Sequence, residues 1–151
     1  MDTDMNTYDS ALLEARDRQA IIDLTIKYCW TIDTHEFETL REVFLPNATA
    51  LLGDEHNGIE SIITRISTAL SHLDASQHMI SNHQVAIDGD TATSRCYFHA
   101  QHVRRAADGG PNYIVAGRYQ DRLVRTDQGW RIARRDLFVD WTEGNVRVVR
   151  P

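Results

Sequence analysis

The chain is 151 residues long, 42% hydrophobic and 25% charged, with a formal net charge of −6. That length suits one domain with a real core. No apolar run approaches the ~20 residues that span a bilayer, so no membrane partner is expected, and the acidic balance argues against a nucleic acid as partner. The polar, acidic first dozen residues read as neither a signal nor a transit peptide, and residues 1–10 are expected to be a disordered, frayed end. The charge is uneven: residues 1–75 hold 5 basic and 14 acidic groups, residues 76–151 hold 11 and 8. The basic groups of the second half are all Arg, spread along strand-like segments (Arg118, Arg122, Arg131, Arg134, Arg135), which suits a solvated sheet face or a subunit contact. Acids of the helical half are available to pair with them. Cys29 and Cys96 both fall in apolar rows, as expected for buried free thiols in a cytoplasmic protein.

Leu12 to Asp33 reads as a long amphipathic helix. One apolar row is Ile21, Leu24, Tyr28 and Ile32; the row beside it is Ile22, Ile26 and Cys29, and its next member is Asp33. Steps of three and four stack residues on one face, so an acid continues an apolar row. Two readings of Asp33 stand: a buried acid with a chemical role, or an N-cap for the next helix, since Asp33-x-x-Glu36 fits a capping box. Thr34 to Phe44 reads as that short second helix, ended by Pro46. Ala48 to Leu52 reads as a strand closed by Gly53 and Asp54. Asn57 and Glu60 read as the N-cap and N3 pair of a third helix, with Ile59, Ile62, Ile63, Ile66, Leu70 and Leu73 inward.

From about Ser76 the pattern is strand. His78 to Ile87 runs into the turn Asp88-Gly89-Asp90, Thr91 to Arg105 into Asp108-Gly109-Gly110-Pro111, and Tyr113 to Arg125 into Asp127-Gln128-Gly129, followed by Trp130 to Trp141. The apolar tail, Val146 to Pro151, reads as an edge strand or a reach to a neighbouring subunit. Three helices, one early strand and an antiparallel meander make an α+β plan, whose curled sheet leaves a pocket under the helices. The arginines and the tail suggest a homo-oligomer, a dimer or trimer.

The first hairpin can be registered. With Asp88-Gly89-Asp90 as a three-residue loop, His78 falls opposite Ala100, Ile80 opposite Phe98 and Asn82 opposite Cys96. Opposed residues share a face, and His102 lies diagonal to His78 on it. If this face is concave, His78 looks toward Asp33 and Tyr28. An Asp fixes the tautomer of a His and stabilises its imidazolium, which in an apolar pocket makes a general base. A one-residue slip would turn His78 away. His35, His56 and His72 read as solvated, and His99 and His102 point to opposite faces, so they form no metal pair. No glycine cluster forms a phosphate loop.

Together, Tyr28-Cys29-Trp30-Thr31-Ile32-Asp33, Gly58-Ile59, His78, Asp88-Gly89-Asp90, Gly117-Arg118-Tyr119-Gln120-Asp121 and Gly129-Trp130-Arg131-Ile132 resemble the SnoaL-like branch of the nuclear-transport-factor-2-like (NTF2-like) superfamily. The resemblance implies a cone-shaped fold with an internal pocket. Asp33 and His78 are similar to the dyad of its scytalone dehydratase, dehydrochlorinase and bile-acid dehydratase group, the last of which carries a Tyr placed as Tyr28 is. It implies a cofactor-independent lyase, or an isomerase using the same proton abstraction, with no metal. The substrate would be a small, hydrophobic, cyclic molecule. The implied catalytic residues are Asp33, His78, Tyr28 and His102 (or His99 in its place), and the implied substrate contacts are Trp30, Asn82, Phe98, Tyr119, Phe138 and Trp141. Ala48-Thr49-Ala50-Leu51 departs from scytalone dehydratase, which has a Tyr on that strand. Some relatives place an Arg on the last strand facing the pocket; Arg134 and Arg135 are candidates, although the alignment leaves Phe138 there. A non-catalytic binding or assembly domain, like the small subunits of ring-hydroxylating oxygenases, is the alternative.

Overall fold

A computed structural model describes the backbone of residues 2–150 and the side chains of 8–150. The first helix, α1 (Asp2–Asp33), extends back through the segment expected to fray. It ends where Thr34 N–H and Thr34 Oγ1 return to the Trp30 carbonyl, both at 2.9 Å, and His35 takes a left-handed φ of 60°. The expected second helix is only a 3-10 turn, Phe37–Glu42, capped by no side chain. Strands β1 (Phe44–Leu52) and β2 (Asp54–Asn57) follow, then α2 (Ile59–Leu70). Gly58, not Asn57, occupies the N-cap of α2, at a φ of 83° that no other residue type adopts easily. The helix buries Ile59, Ile62, Ile63, Ile66 and Leu70 along one stripe.

Four long strands complete the chain: β3 (Ala75–Asp88), β4 (Thr91–Val103), β5 (Asn112–Thr126) and β6 (Gly129–Gly144). The sheet order is β2-β1-β6-β5-β4-β3. The meander is antiparallel as expected, but β1 runs parallel to β6, so the six-stranded sheet is mixed. Local alternation cannot reveal that pairing, because β1 and β6 are joined by the whole intervening chain. Both helices lie on the inner face, where Ile21, Ile32, Ile62, Phe44, Leu123 and Ile132 form the centre of the core, each at most 1% exposed.

The tail is neither an edge strand nor an outward arm. Val146–Val148 forms a 3-10 turn whose Val148 is fully buried, held by a 3.1 Å contact between His72 Nε2 and the Val148 carbonyl. Arg125 binds Asp17 with two 2.8 Å bonds and Arg134 binds Glu55, so acids of the first half do pair with arginines of the second.

Candidate functional site

The β3–β4 hairpin decides where His78 points. Its loop has two residues, not three: Asp88 pairs with Thr91 across Gly89-Asp90, so Ile87 faces Ala92. That one-residue difference alone would turn His78 outward. It is cancelled at a β-bulge, where Asn82 and His83 together oppose Cys96 between the pairs Ser81–Tyr97 and Gln84–Arg95. Asn82 adopts a φ of 56°, a left-handed conformation that Asn tolerates. Beyond the bulge His78 pairs with Ala100 and Ile80 with Phe98, as expected, although the turn implied a different route. Asn82 itself is exposed and contributes nothing to the inner face.

Asp33, the last residue of α1, faces this strand. Its Oδ1 accepts from His78 Nδ1 at 2.6 Å and from Ser76 Oγ at 2.7 Å, and its Oδ2 accepts from the His78 backbone N–H at 2.7 Å. Glu36 N–H bonds the Thr31 carbonyl instead, so the capping-box reading of Asp33 fails. The two side chains are 15% and 7% exposed for Asp33 and His78. Burial alone would raise the Asp33 pKa, and the C-terminal end of a helix disfavours an anion. The ring, backbone and hydroxyl donors outweigh burial and hold the carboxyl below its ordinary value. An ionised Asp33 fixes the proton of His78 on Nδ1 and leaves Nε2 as a lone pair.

His78 stands between two hollows. Outside lies a groove between α1 and the edge strand β3, bordered by Asp33, Trp30 and Met79. Inside is a cavity of ≈ 500 Å³ under the helices, lined near the histidine by Tyr28, Phe98, Ala100, His102 and Tyr119. His102 is buried, edge-on to His78 with ring centroids 5.5 Å apart. Its Nδ1 donates to the Tyr113 carbonyl at 3.3 Å, leaving Nε2 as an acceptor. Burial, with His78 beside it, lowers its pKa to about 4, so His102 is neutral at physiological pH. His99 points to the other face and packs on Trp141. Burial raises the phenols of Tyr28 and Tyr119, despite the nearby Arg135 charge, so both keep their protons and can donate.

Phe98 stacks on Tyr119 at 4.6 Å, and Tyr28 packs edge-on to Tyr119 at 5.7 Å. Besides Asn82, three expected contacts lie off the cavity. Trp30 is 69% exposed on the groove side of α1. Phe138 faces outward under the Arg118 guanidinium, and Trp141 is half exposed on the same outer face. A bulge at Ala133, between the pairs Leu123–Ile132 and Arg122–Arg134, puts Leu137 and Val139 on the cavity instead, and a second at Asp140, which lets Ala116 pair with Trp141 and Gly117 with Val139, turns Trp141 out. Gly117 permits that approach, since a Cβ there would sit 1.9 Å from the Phe138 carbonyl oxygen.

Behind the Tyr28 and Tyr119 rings lies an ion pair that sequence reasoning did not foresee, although Arg135 was one of its two candidates for a pocket-facing Arg. Arg135 is fully buried and bidentate to Asp121 at 2.8 and 2.7 Å. Its guanidinium is sandwiched between the Tyr28 and Tyr119 rings at 4.2 and 4.3 Å. Arg134 points outward to Glu55 and Asp136. Among the described residues no three His, Cys, Asp or Glu side chains converge as a metal site, and no helix is long and apolar enough to cross a membrane.

The SnoaL-like domain model matches residues 13–136. An uncharacterised protein of Mycobacterium tuberculosis is 34% identical over 128 residues, which cover 83% of this chain and 86% of that protein. A solved protein of Kribbella flavida superposes with a TM-score of 0.83 at 28% identity, over 91% of this chain and 99% of that one. A provisionally named scytalone dehydratase of Novosphingobium aromaticivorans superposes with a TM-score of 0.78 over 91% of each chain; at 23% identity that likeness is one of fold. The matched residues take in most of α1, all of α2 and all but the end of the sheet, and the chain belongs to the SnoaL-like domain family, in the NTF2-like fold.

Proposed function

We propose that this protein is a cofactor-independent lyase of the dehydratase type, acting on a small, hydrophobic, cyclic substrate. The observation that carries the proposal is the 2.6 Å bond from Asp33 to His78 Nδ1, on the wall of a largely apolar cavity. In this reading the Nε2 lone pair of His78 takes a proton from the carbon next to a substrate carbonyl. The carbon's electron pair becomes the new C=C bond as the C–O bond to a β-hydroxyl breaks. The imidazolium, held by ionised Asp33, returns its proton to the departing hydroxyl, which leaves as water. The protonated Tyr28 phenol donates to the carbonyl oxygen as charge develops there. His102, neutral with its Nε2 bare, accepts a hydrogen bond from the substrate hydroxyl and orients it. An isomerase is the close variant, with the proton returned to another carbon. A purely binding role needs no carboxylate-oriented imidazole, and the open cavity beside the dyad favours chemistry.

The test is a panel of cyclic β-hydroxy ketones in D₂O. Nuclear magnetic resonance follows deuterium at the α-carbon, and absorbance follows the conjugated product. Wild type is expected to exchange and eliminate. His78→Ala is expected to lose at least about 10²-fold in rate while keeping its thermal midpoint. A wild type that neither exchanges nor eliminates, together with an unfolded His78→Ala, would sink the reading.

A further inference from the structure

The cavity has a polarity that the proton-transfer chemistry does not use. Around His78 it is lined by aromatic and aliphatic side chains. Away from them, where the β1–β2 turn, α2 and the C-terminal 3-10 turn meet, it is lined by Gly53, Arg65, Val146, Val149 and Arg150. Among the described residues, Arg65 and Arg150 are the charged side chains on the cavity wall, and no acid lies there with them.

Arg65 is held in place, and Arg150 leaves an anchored turn. Arg65 Nε donates to the Leu52 carbonyl at 3.0 Å, which lays its guanidinium across the turn. Its Nη2 lies 3.7 Å from where a Gly53 Cβ would be, an ordinary contact distance, so the head group rests against the turn. With Nε engaged, the Nη edge remains as a pair of donors. Arg150 follows a turn anchored by buried Val148 and by Asn145, whose side chain bonds the Asp108 and Gly110 carbonyls. Neither guanidinium has a carboxylate partner among the described residues, whereas Arg125, Arg134 and Arg135 all do. At the cavity mouth two guanidinium groups thus share one wall with no acid among the described residues that line it.

We propose that Arg65 and Arg150 form an anion subsite at the cavity mouth, which takes a carboxylate or phosphate on the trailing end of the substrate while its apolar ring enters toward His78. This deepens the lyase reading and takes the orientation of the substrate from it. Guanidinium groups match both anions by paired N–H donors. The substrate class becomes an amphipathic acid: an apolar ring that carries the reacting carbons, with an anionic group at the far end.

The test uses three probes with one ring system: 2-naphthoate, 2-naphthyl phosphate and the neutral 2-naphthalenemethanol. Binding is measured by calorimetry near neutral pH at low and high salt. For wild type, at least one anion is expected to bind about tenfold tighter than the alcohol, with the advantage shrinking at high salt. Whether naphthoate or the phosphate gains more decides which anion the subsite prefers. In Arg65→Gln/Arg150→Gln the advantage is expected to vanish while alcohol affinity stays unchanged, so the neutral probe controls for folding. Equal affinities in wild type, binding of no probe, or an anion preference that survives the double substitution would each overturn the subsite. His78→Ala is expected to keep the full preference. A protein that prefers anions yet performs no elimination would refute the lyase reading and leave the subsite standing.

Discussion

Asp33 receives His78 twice, through the strand's backbone N–H at 2.7 Å and the ring Nδ1 at 2.6 Å, so one carboxylate sets both the strand and the tautomer. An amide cannot do both. In Asp33→Asn the carbonyl can still accept the backbone N–H, but its NH₂ then faces Nδ1 and demands a lone pair there. The ring proton is therefore expected to move to Nε2, the atom that must be bare to act as base. Turnover is expected to fall by about 10³–10⁴-fold. The ¹⁵N shifts of the His78 ring report the tautomer without any substrate. An Asp33→Asn variant that keeps the wild-type ring pattern would contradict the assignment.

His102 makes stability depend on pH in a window of its own. Burial takes its pKa from the ordinary 6.5 to about 4. The unfolded chain therefore takes that proton first. The stability that neutral His102 contributes is present above 6.5, declines as the pH falls below it, and is spent by about 4. The decline is about 3 kcal/mol. Asp33 acts lower: its carboxyl is held below 3.8 in the fold, so its contribution is lost only as the pH falls past that value. Urea unfolding of wild type and His102→Gln across pH 8 to 3 separates the two. The variant is expected to flatten the upper window and keep the lower one.

The dyad was legible because it depends on two local patterns, an acid in the apolar row of α1 and an alternating strand. The bulge was written there too. Inward residues of β3 are Ser76, His78 and Ile80, then His83, Val85 and Ile87. The apolar phase moves from even to odd between Ile80 and Val85, which an unbulged strand cannot do. The Arg135–Asp121 pair was harder to see. A straight register from the Thr126–Gly129 turn sets Asp121 opposite Arg134, and only the extra residue Ala133 brings Arg135 opposite it. Each bulge reverses the parity of everything beyond it. That is why Phe138 and Trp141, expected on the cavity, face out while Leu137 and Val139 face in.

That buried ion pair predicts an asymmetric mutational response. Arg135 and Asp121 side chains are 0% and 2% exposed. Asp121→Ala leaves a guanidinium uncompensated between two tyrosines, which is expected to cost about 3–5 kcal/mol. Replacing both partners, as Asp121→Leu/Arg135→Met, removes the charge with its counter-charge and is expected to recover most of that loss. Denaturant midpoints of the single and double variants check this. A double variant no more stable than Asp121→Ala would show that the tyrosine sandwich, rather than charge pairing, dominates.

The bulge makes the sharpest prediction, because it alone reconciles a two-residue turn with an inward His78. Asn82→Gly keeps the left-handed φ of 56° and is expected to change stability by no more than about 0.5 kcal/mol. Asn82→Val keeps the residue count but strains the left-handed conformation, which a β-branched side chain adopts poorly. The strand must then either hold the bulge under strain or carry one alternation through from Val85, which turns Ile80 and His78 to the outer face. The substitution is therefore expected to lower the thermal midpoint and to weaken the Asp33-dependent ring pattern of His78, while Asn82→Gly preserves it. Deleting Asn82 instead sets His83 alone opposite Cys96 and leaves His78 opposite Ala100, so the deletion is expected to keep that ring pattern. A deletion variant that loses it would show that the kink of the bulge, and not only its parity, positions the histidine.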